Sequence, residues 1–279
     1  MATDYQEHFF NAPDGIRLFF RRWFTDEPKG LVALVHGFAE HSGRYKALAD
    51  DICRAGWSVA AFDYRGHGQS GGRRAHIDGF TGYLDDLGSF LAEIEKEGYG
   101  GKPVLLGHSL GGLIAARFCE RDADDLNGLV LSSPFLDMAF KVPTLKALAG
   151  RLLSGIFPTL SLKSGLDPSV LSHDQEACER YAADPLVSDV ASARWFTEVL
   201  QAQADAFREV TRIKLPLLVL QAGDDRLASA EATRHFFEAA QSEDKNFQLY
   251  EDYFHEIFNE VGRDKVVADL IAWLGQHGK

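Results

Sequence analysis

Residues 105–118 read LLGHSLGGLIAARF. A single serine, Ser109, stands among Gly107, Gly111 and Gly112, with a strand-like apolar run before it and a helix-like run after it. One reading is an ordinary strand-to-helix turn that contains a serine. The other is a nucleophile elbow, a strained turn that lifts a serine hydroxyl out of the fold. The pattern Gly-x-Ser-x-Gly is weak by itself, so its context decides. PVLL before the serine and LGGLIAARF after it supply the strand, turn and helix that an elbow needs. A Cβ at the flanking glycines would crowd so tight a turn. The stretch therefore predicts an elbow on an α/β sheet.

The chain on either side agrees. Near-continuous apolar runs recur at 31–35 (LVALV), 57–62 (WSVAAF), 103–107 (PVLLG), 128–133 (GLVLSS), 215–221 (LPLLVLQ) and 247–250 (FQLY). Runs without polar alternation predict strands covered on both faces, hence a mostly parallel central sheet. Amphipathic helical stretches at 44–55, 81–96, 110–121, 230–240 and 261–274 alternate with them, which predicts an α/β layered fold with helices on both faces. Gly56 closes the first helix as its C′ residue. Ahead of this pattern, EHFFNAPDGIRLFFRRW (7–23) reads as a β-hairpin around turn-forming APDG. From Asp137 to Arg194 the alternation stops and no core strand is legible. That segment reads as a helical cap inserted after the strand at 128–133, on the side where ligands enter such sheets. The expected division is residues 1–136 and 200–279 for the core and 137–199 for the cap.

Composition narrows the function. The 279 residues are 46% hydrophobic and 25% charged, ordinary for a globular protein able to bury a large core. A net charge of −12 argues against a nucleic-acid partner, which needs a basic face. Cys53, Cys119 and Cys178 are odd in number and far apart, which fits a reducing compartment better than a disulfide framework. The opening MATDYQEHFF lacks the apolar core of an export signal, and no apolar run approaches the roughly 20 residues of a membrane span. A cytoplasmic protein is expected, able to sit on the inner membrane surface. No metal or organic cofactor is implied.

A serine hydroxyl is a poor nucleophile until a base takes its proton and an acid orients the base. On an elbow fold the chain order is serine, acid, histidine. Four histidines follow Ser109. His173 falls in the cap, His235 inside a helical pattern and His277 at the C-terminus. His255, in YEDYFHEIFNE (250–260), follows the last strand at the sheet's carboxyl edge, where the base belongs. For the acid, Asp224 and Asp225 follow the strand at 215–221, and Asp137 follows the strand at 128–133; position leaves the choice open. The oxyanion needs two backbone N–H groups. Leu110, after the nucleophile, supplies one, and Phe38, in the loop VHGFAEHSGRY (35–45), supplies the other.

With these residues in place the chain resembles the monoacylglycerol lipase and lysophospholipase branch of the α/β-hydrolases. The matching stretches are LVHGFAEHSGRY, DYRGHGQSGG, LLGHSLGG, SSPFLD, DPSVLS, YAADPLV, QAGDDRL and YFHE, in family order over residues 10–274. The resemblance implies Ser109 as nucleophile, His255 as base and Asp225 as acid, with Phe38 and Leu110 as oxyanion amides. DYRGHGQSGG (63–72) reads as a structural turn in which Asp63 and Arg65 bond the loop and His67 has no catalytic part. In that family a Glu, an Arg, a cap Tyr and a second His hold the glycerol head. Glu40, Arg44 and Tyr181 match the first three, and Phe258 stands where the second His would be. A site that lacks a hydroxyl-binding group discriminates less, so monoacylglycerol is the implied leading substrate, with lysophospholipids or broader esters beside it. Epoxide hydrolases and dehalogenases would carry Asp at position 109. A non-catalytic relative acting as a binding module would lack triad members.

The stretch from Met138 to Leu166 carries Lys141, Lys146, Arg151 and Lys163 and no acid. In so acidic a chain this cationic, apolar island reads as an interfacial helix resting on anionic lipid, a peripheral membrane contact at 138–166.

Overall fold

The structure, a computed structural model, describes residues 4–96, 101–140 and 144–277. Strands β1 (Asp4–Asn11) and β2 (Arg17–Phe24) form the expected antiparallel hairpin, turned at Gly15 with the Ala12 amide donating to Ile16. The alternation then runs β3 (Leu31–Val35), α1 (Lys46–Arg54), β4 (Ser58–Asp63), α2 (Thr81–Lys96), β5 (Val104–His108), α3 (Leu110–Cys119) and β6 (Gly128–Ser132). Between β6 and the next core strand lie α4 (Thr144–Ile156), β7 (Ser161–Lys163), α5 (Gln175–Ala183), β8 (Val190–Ser192) and α6 (Ala193–Glu209). The chain closes with β9 (Leu217–Ala222), α7 (Ala230–Ala239), β10 (Lys245–Tyr250) and α8 (Arg263–His277).

Eight strands form one sheet in the order β1-β2-β4-β3-β5-β6-β9-β10. β2 meets β4 antiparallel, and from β4 to β10 every pairing is parallel. Every residue of β3, β4, β5, β6 and β9 is buried. Successive side chains leave a strand on opposite faces, and this splits the apolar runs into two cores. Ala33, Val35, Ala60, Phe62, Leu105 and Leu129 pack under α2, α3 and α6. Val32, Leu34, Val59, Ala61, Leu106 and Val130 pack under α1 and α8. Gly56 ends α1 at φ +89°, its amide donating to the Cys53 carbonyl, as a C′ glycine does.

Two features depart from the sequence reading. α6 is a core helix that the reading missed: Trp195, Val199, Ala202 and Ala206 recur on one face and pack in the α2/α3 core. The expected cap boundary at 199/200 falls inside it. In addition, β7 and β8 pair as a separate two-stranded antiparallel sheet outside the main one. Three-residue strands are too short to show a period of two.

Candidate active site

The loops that follow β3, β5, β9 and β10 meet at the carboxyl edge of the sheet. β5 runs straight into Ser109, which adopts φ +53° and ψ −118°. A non-glycine residue in that region is strained and persists only where its surroundings hold it. Here the Ser109 amide donates to the Ser132 carbonyl at 3.0 Å, and the Ser109 carbonyl accepts from Phe135 at 2.9 Å and Leu113 at 3.1 Å. The adjoining glycines are obligatory by contact. A Cβ on Gly111 would lie 2.2 Å from the Val35 carbonyl oxygen, and one on Gly107 would lie 2.3 Å from the Gly111 carbonyl oxygen.

His255 reaches this serine from the loop after β10. Its Nε2 lies 2.8 Å from Ser109 Oγ and its Nδ1 lies 2.8 Å from Asp225 Oδ2. The Ser109 hydroxyl donates to Nε2 while Nδ1–H donates to the carboxylate. The three side chains are buried, that of Asp225 completely. Asp225 Oδ1 accepts the Leu227 and Ala228 amides, each at 2.9 Å, which pins the carboxylate with Oδ2 toward the imidazole. Asp224 is exposed and pairs with Arg226, and exposed Asp137 bonds the Met138 amide. Burial works against the imidazolium of His255, but the charge and hydrogen bond of Asp225, with Glu256 and Glu40 adding to them, outweigh it and raise its pKa. Burial pushes His108, beside it, down to about 4.

The loop expected to supply an oxyanion amide lies against Ser109: a Cβ on Gly37 would be 3.2 Å from Ser109 Cβ. Its backbone is fixed from several sides. The Gly37 carbonyl accepts from Tyr64 Oη at 2.6 Å and His36 Nδ1 at 2.7 Å, and the Gly37 amide donates to Glu40 at 2.6 Å. The Phe38 ring packs against Trp195 of α6, the ring centroids 4.1 Å apart and the planes tilted by 33°. Neither the Phe38 nor the Leu110 amide has an acceptor among the described residues. The Leu110 amide also opens α3, whose N-terminal end carries positive partial charge. Behind this loop, Asp63 accepts from the Ser42 amide and hydroxyl and the Gln69 amide, while Arg65 pairs with Asp14 and Asp86. Burial pushes His67 down to about 3, which keeps it neutral.

The residues matched to a glycerol head are also buried together, though engaged with one another. Arg44 pairs with Glu40, and Tyr45 Oη donates to Glu40 at 2.6 Å. The Arg44 guanidinium lies 4.6 Å over the Tyr181 ring. The Tyr181 hydroxyl is buried with no partner among the described residues. Phe258 belongs to the apolar core on the α1/α8 face, the core that also holds Tyr45 and Leu48. The reading missed Glu256. It follows His255 directly, is buried, and accepts both Arg44 Nη1 and Nη2 at 2.7 Å. An acid beside the base was visible in YFHE, but its partner is 212 positions away. Among the described residues no group of His, Cys, Asp and Glu could hold a metal ion.

A sheet in this order, with a serine raised on an elbow after its fifth strand, makes the chain an α/β-hydrolase. More narrowly, it belongs to the Hydrolase_4 family, described as serine aminopeptidase S33, whose model matches residues 26–262. It is 30% identical over 279 residues to the monoacylglycerol lipase of Mycolicibacterium smegmatis, covering 99% of each chain. It is 33% identical to the phospholipase YtpA of Bacillus subtilis, over 91% of this chain and 98% of that one. The crystal structure of Paleococcus ferrophilus monoacylglycerol lipase superposes with a TM-score of 0.83 at 35% identity, over 99% of this chain and 100% of the other.

Proposed function

We propose that this protein is a serine hydrolase of single-chain lipid esters, with monoacylglycerol as its leading substrate, cleaved to fatty acid and glycerol. The observation that carries the reading is the buried relay Asp225–His255–Ser109, with 2.8 Å at both links. His255 Nε2 takes the Ser109 proton as Oγ attacks the ester carbonyl. The carbonyl oxygen becomes an oxyanion facing the Phe38 and Leu110 amides, which have no other acceptor among the described residues. The imidazolium then gives its proton to the departing alcohol oxygen, leaving an acyl-enzyme. Water repeats the sequence and releases the fatty acid. Asp225 holds the proton on Nδ1, which keeps Nε2 free to act as base.

Substrate choice follows from what is left to contact an alcohol. Glu40 and Arg44 are engaged by their neighbours, and the Tyr181 hydroxyl, buried beneath the Arg44 guanidinium, is the one polar group among the matched residues left without a partner among the described residues. One hydroxyl selects weakly, which supports tolerance of other single-chain esters. The likeness to a phospholipase at 33% identity supports lysophospholipid as the second substrate class.

The segment between β6 and the core helix α6 acts as a cap that meets lipid. Phe140, Leu152, Ile156, Phe157 and Leu162 are all more than half exposed there. Exposed apolar side chains gathered in one segment are the mark of a contact surface, and Arg151 and Lys163 accompany them. Lys141 and the side chain of Lys146, the rest of the cationic island, lie outside the described residues. No helix among the described residues is long and apolar enough to cross a membrane. The free cysteines support a reducing, cytoplasmic side for it.

The test is a panel of 1-monooleoylglycerol, lysophosphatidylcholine, p-nitrophenyl butyrate and a peptide amide, read with wild type and Ser109→Ala. The expected result is highest kcat/KM on the monoacylglycerol, weaker turnover of the other esters, and none by the variant. Preference for the peptide amide would overturn the substrate class. Co-sedimentation with anionic vesicles should fall in a Leu152→Ser/Phe157→Ser variant; equal partitioning would remove the membrane contact.

A further inference from the structure

Arg44 and Glu256 form a buried link between two catalytic loops. On one side, Arg44 pairs with Glu40, whose Oε1 accepts the Gly37 amide at 2.6 Å and Tyr45 Oη at 2.6 Å. Gly37 immediately precedes Phe38, the proposed oxyanion donor. On the other side, Arg44 grips Glu256 through two parallel bonds of 2.7 Å, and Glu256 immediately follows His255. Glu256 is held further by Asn259 Nδ2 at 2.8 Å, and its amide donates to the Leu171 carbonyl at 2.8 Å. The Arg44, Glu40 and Glu256 side chains are 10%, 4% and 7% exposed, so water does little to loosen the linkage.

We propose that the bidentate Arg44–Glu256 pair is a strut that fixes the spacing between the oxyanion loop and the histidine loop, and that Glu256 is a positioning residue for His255. The inference rests on the Ser109–His255–Asp225 reading above. A planar guanidinium bound through two nitrogens resists rotation as well as separation, which a single bond does not. The strut spans the two points whose relative placement matters most: the amide that meets the oxyanion and the imidazole that moves the proton. Displacement of such groups by about 1 Å can cost a factor of about 100 in rate. The charges work in the same direction. Glu40 and Glu256 bring two negative charges against the one positive charge of Arg44, leaving a net negative site before His255 protonates. A negative surplus at that point favours the imidazolium formed during reaction.

This assigns Arg44 an internal task in place of the head-group contact implied by the resemblance, and the two tasks differ in what they do to kinetics. The experiment uses Glu256→Gln, Arg44→Lys, Arg44→Met and the double variant Arg44→Met/Glu256→Gln. It measures the rate of fluorophosphonate labelling and kcat and KM on 1-monooleoylglycerol and p-nitrophenyl butyrate. Melting temperature is followed in parallel. Glu256→Gln keeps the shape and one acceptor oxygen, so it tests the strut even if Arg44→Met does not fold.

The expected result is a roughly 10- to 100-fold loss of labelling rate in Glu256→Gln and Arg44→Lys. The same factor should appear in kcat on both esters with KM little changed. The double variant should be no worse than the poorer single variant, as members of one unit behave. Removal of the Glu256 charge should also move the acid limb of the Glu256→Gln pH–rate profile to lower pH, which loss of fold alone would not do. Wild-type labelling rates in folded variants, or a defect confined to KM for 1-monooleoylglycerol, would overturn the strut. Wild-type protein that does not label at all would instead overturn the triad reading, so the two failures are distinct.

Discussion

Replacement of Asp225 by asparagine should abolish the base without disturbing the fold. In the native site Oδ1 accepts the Leu227 and Ala228 amides at 2.9 Å each, and Oδ2 accepts Nδ1–H of His255 at 2.8 Å. Asparagine has a single acceptor oxygen. Directed at the two amides it satisfies both; directed away, it would set an NH2 group against two N–H donors. The side chain is therefore held with its NH2 toward His255. Nδ1 must then present a lone pair, and the ring proton moves to Nε2, where it faces Ser109 Oγ 2.8 Å away as a donor. The nucleophile loses its acceptor although no atom has moved far. The corresponding change in a serine protease triad lowers kcat about 10⁴-fold, which is about 5.5 kcal/mol of transition-state stabilisation. The residual rate belongs to the oxyanion amides. The assay is kcat on p-nitrophenyl butyrate near pH 8 together with a circular-dichroism melt. A cooperatively folding Asp225→Asn variant within tenfold of wild-type kcat would refute the tautomer argument.

Two further outcomes follow from the same geometry. The proposed mechanism requires the base form of His255, and its pKa lies above the ordinary 6.5 because Asp225, Glu256 and Glu40 overcome the effect of burial. As pH falls through that raised value the imidazole protonates and activity is lost, so the midpoint of the acid limb of kcat/KM should lie above 6.5; a profile flat to pH 4 would contradict it. Gly111→Ala places a Cβ 2.2 Å from the Val35 carbonyl oxygen and 2.3 Å from that of His36, backbone atoms with no rotamer to escape by. The expected cost is about 3 kcal/mol or more, a fall in Tm on the order of 10 °C, and an unchanged Tm would contradict the crowding.

The parts of the architecture legible in the sequence were those set by local chemistry. Gly56 ends α1 because a left-handed residue is needed there, and it could be read from its place after an amphipathic run. The apolar runs gave the strands of the sheet to within a residue or two at most ends. What they could not give is the division of Ala33 and Leu34 between opposite cores, since a strand buried on both faces shows no polar alternation. The stripe Trp195, Val199, Ala202 and Ala206 was visible at helical spacing, yet the division expected at 199/200 cut it in two and hid a core helix. β7 and β8, three residues each, carry no period to read.

At the site, Ser109 was legible because its flanking glycines answer to contacts within a few residues and with the adjacent strand. The acid was not: Asp137, Asp224 and Asp225 all follow strands, and only resemblance preferred Asp225. The difference between them is a matter of direction, set by the Leu227 and Ala228 amides that turn one carboxylate toward His255. Glu256 escaped notice for a different reason. An acid next to a histidine is unremarkable until the fold brings Arg44 to it from the other side of the chain.

The central claim is that Asp225 and His255 make one hydroxyl in this chain a nucleophile. Incubation with a fluorophosphonate, followed by intact mass and peptide mapping, reads that claim at a single atom. The account predicts one adduct per chain, on the peptide containing Ser109, formed slowly or not at all in Asp225→Asn and His255→Ala variants. An adduct on another residue, or undiminished labelling of Ser109 in those variants, would contradict it.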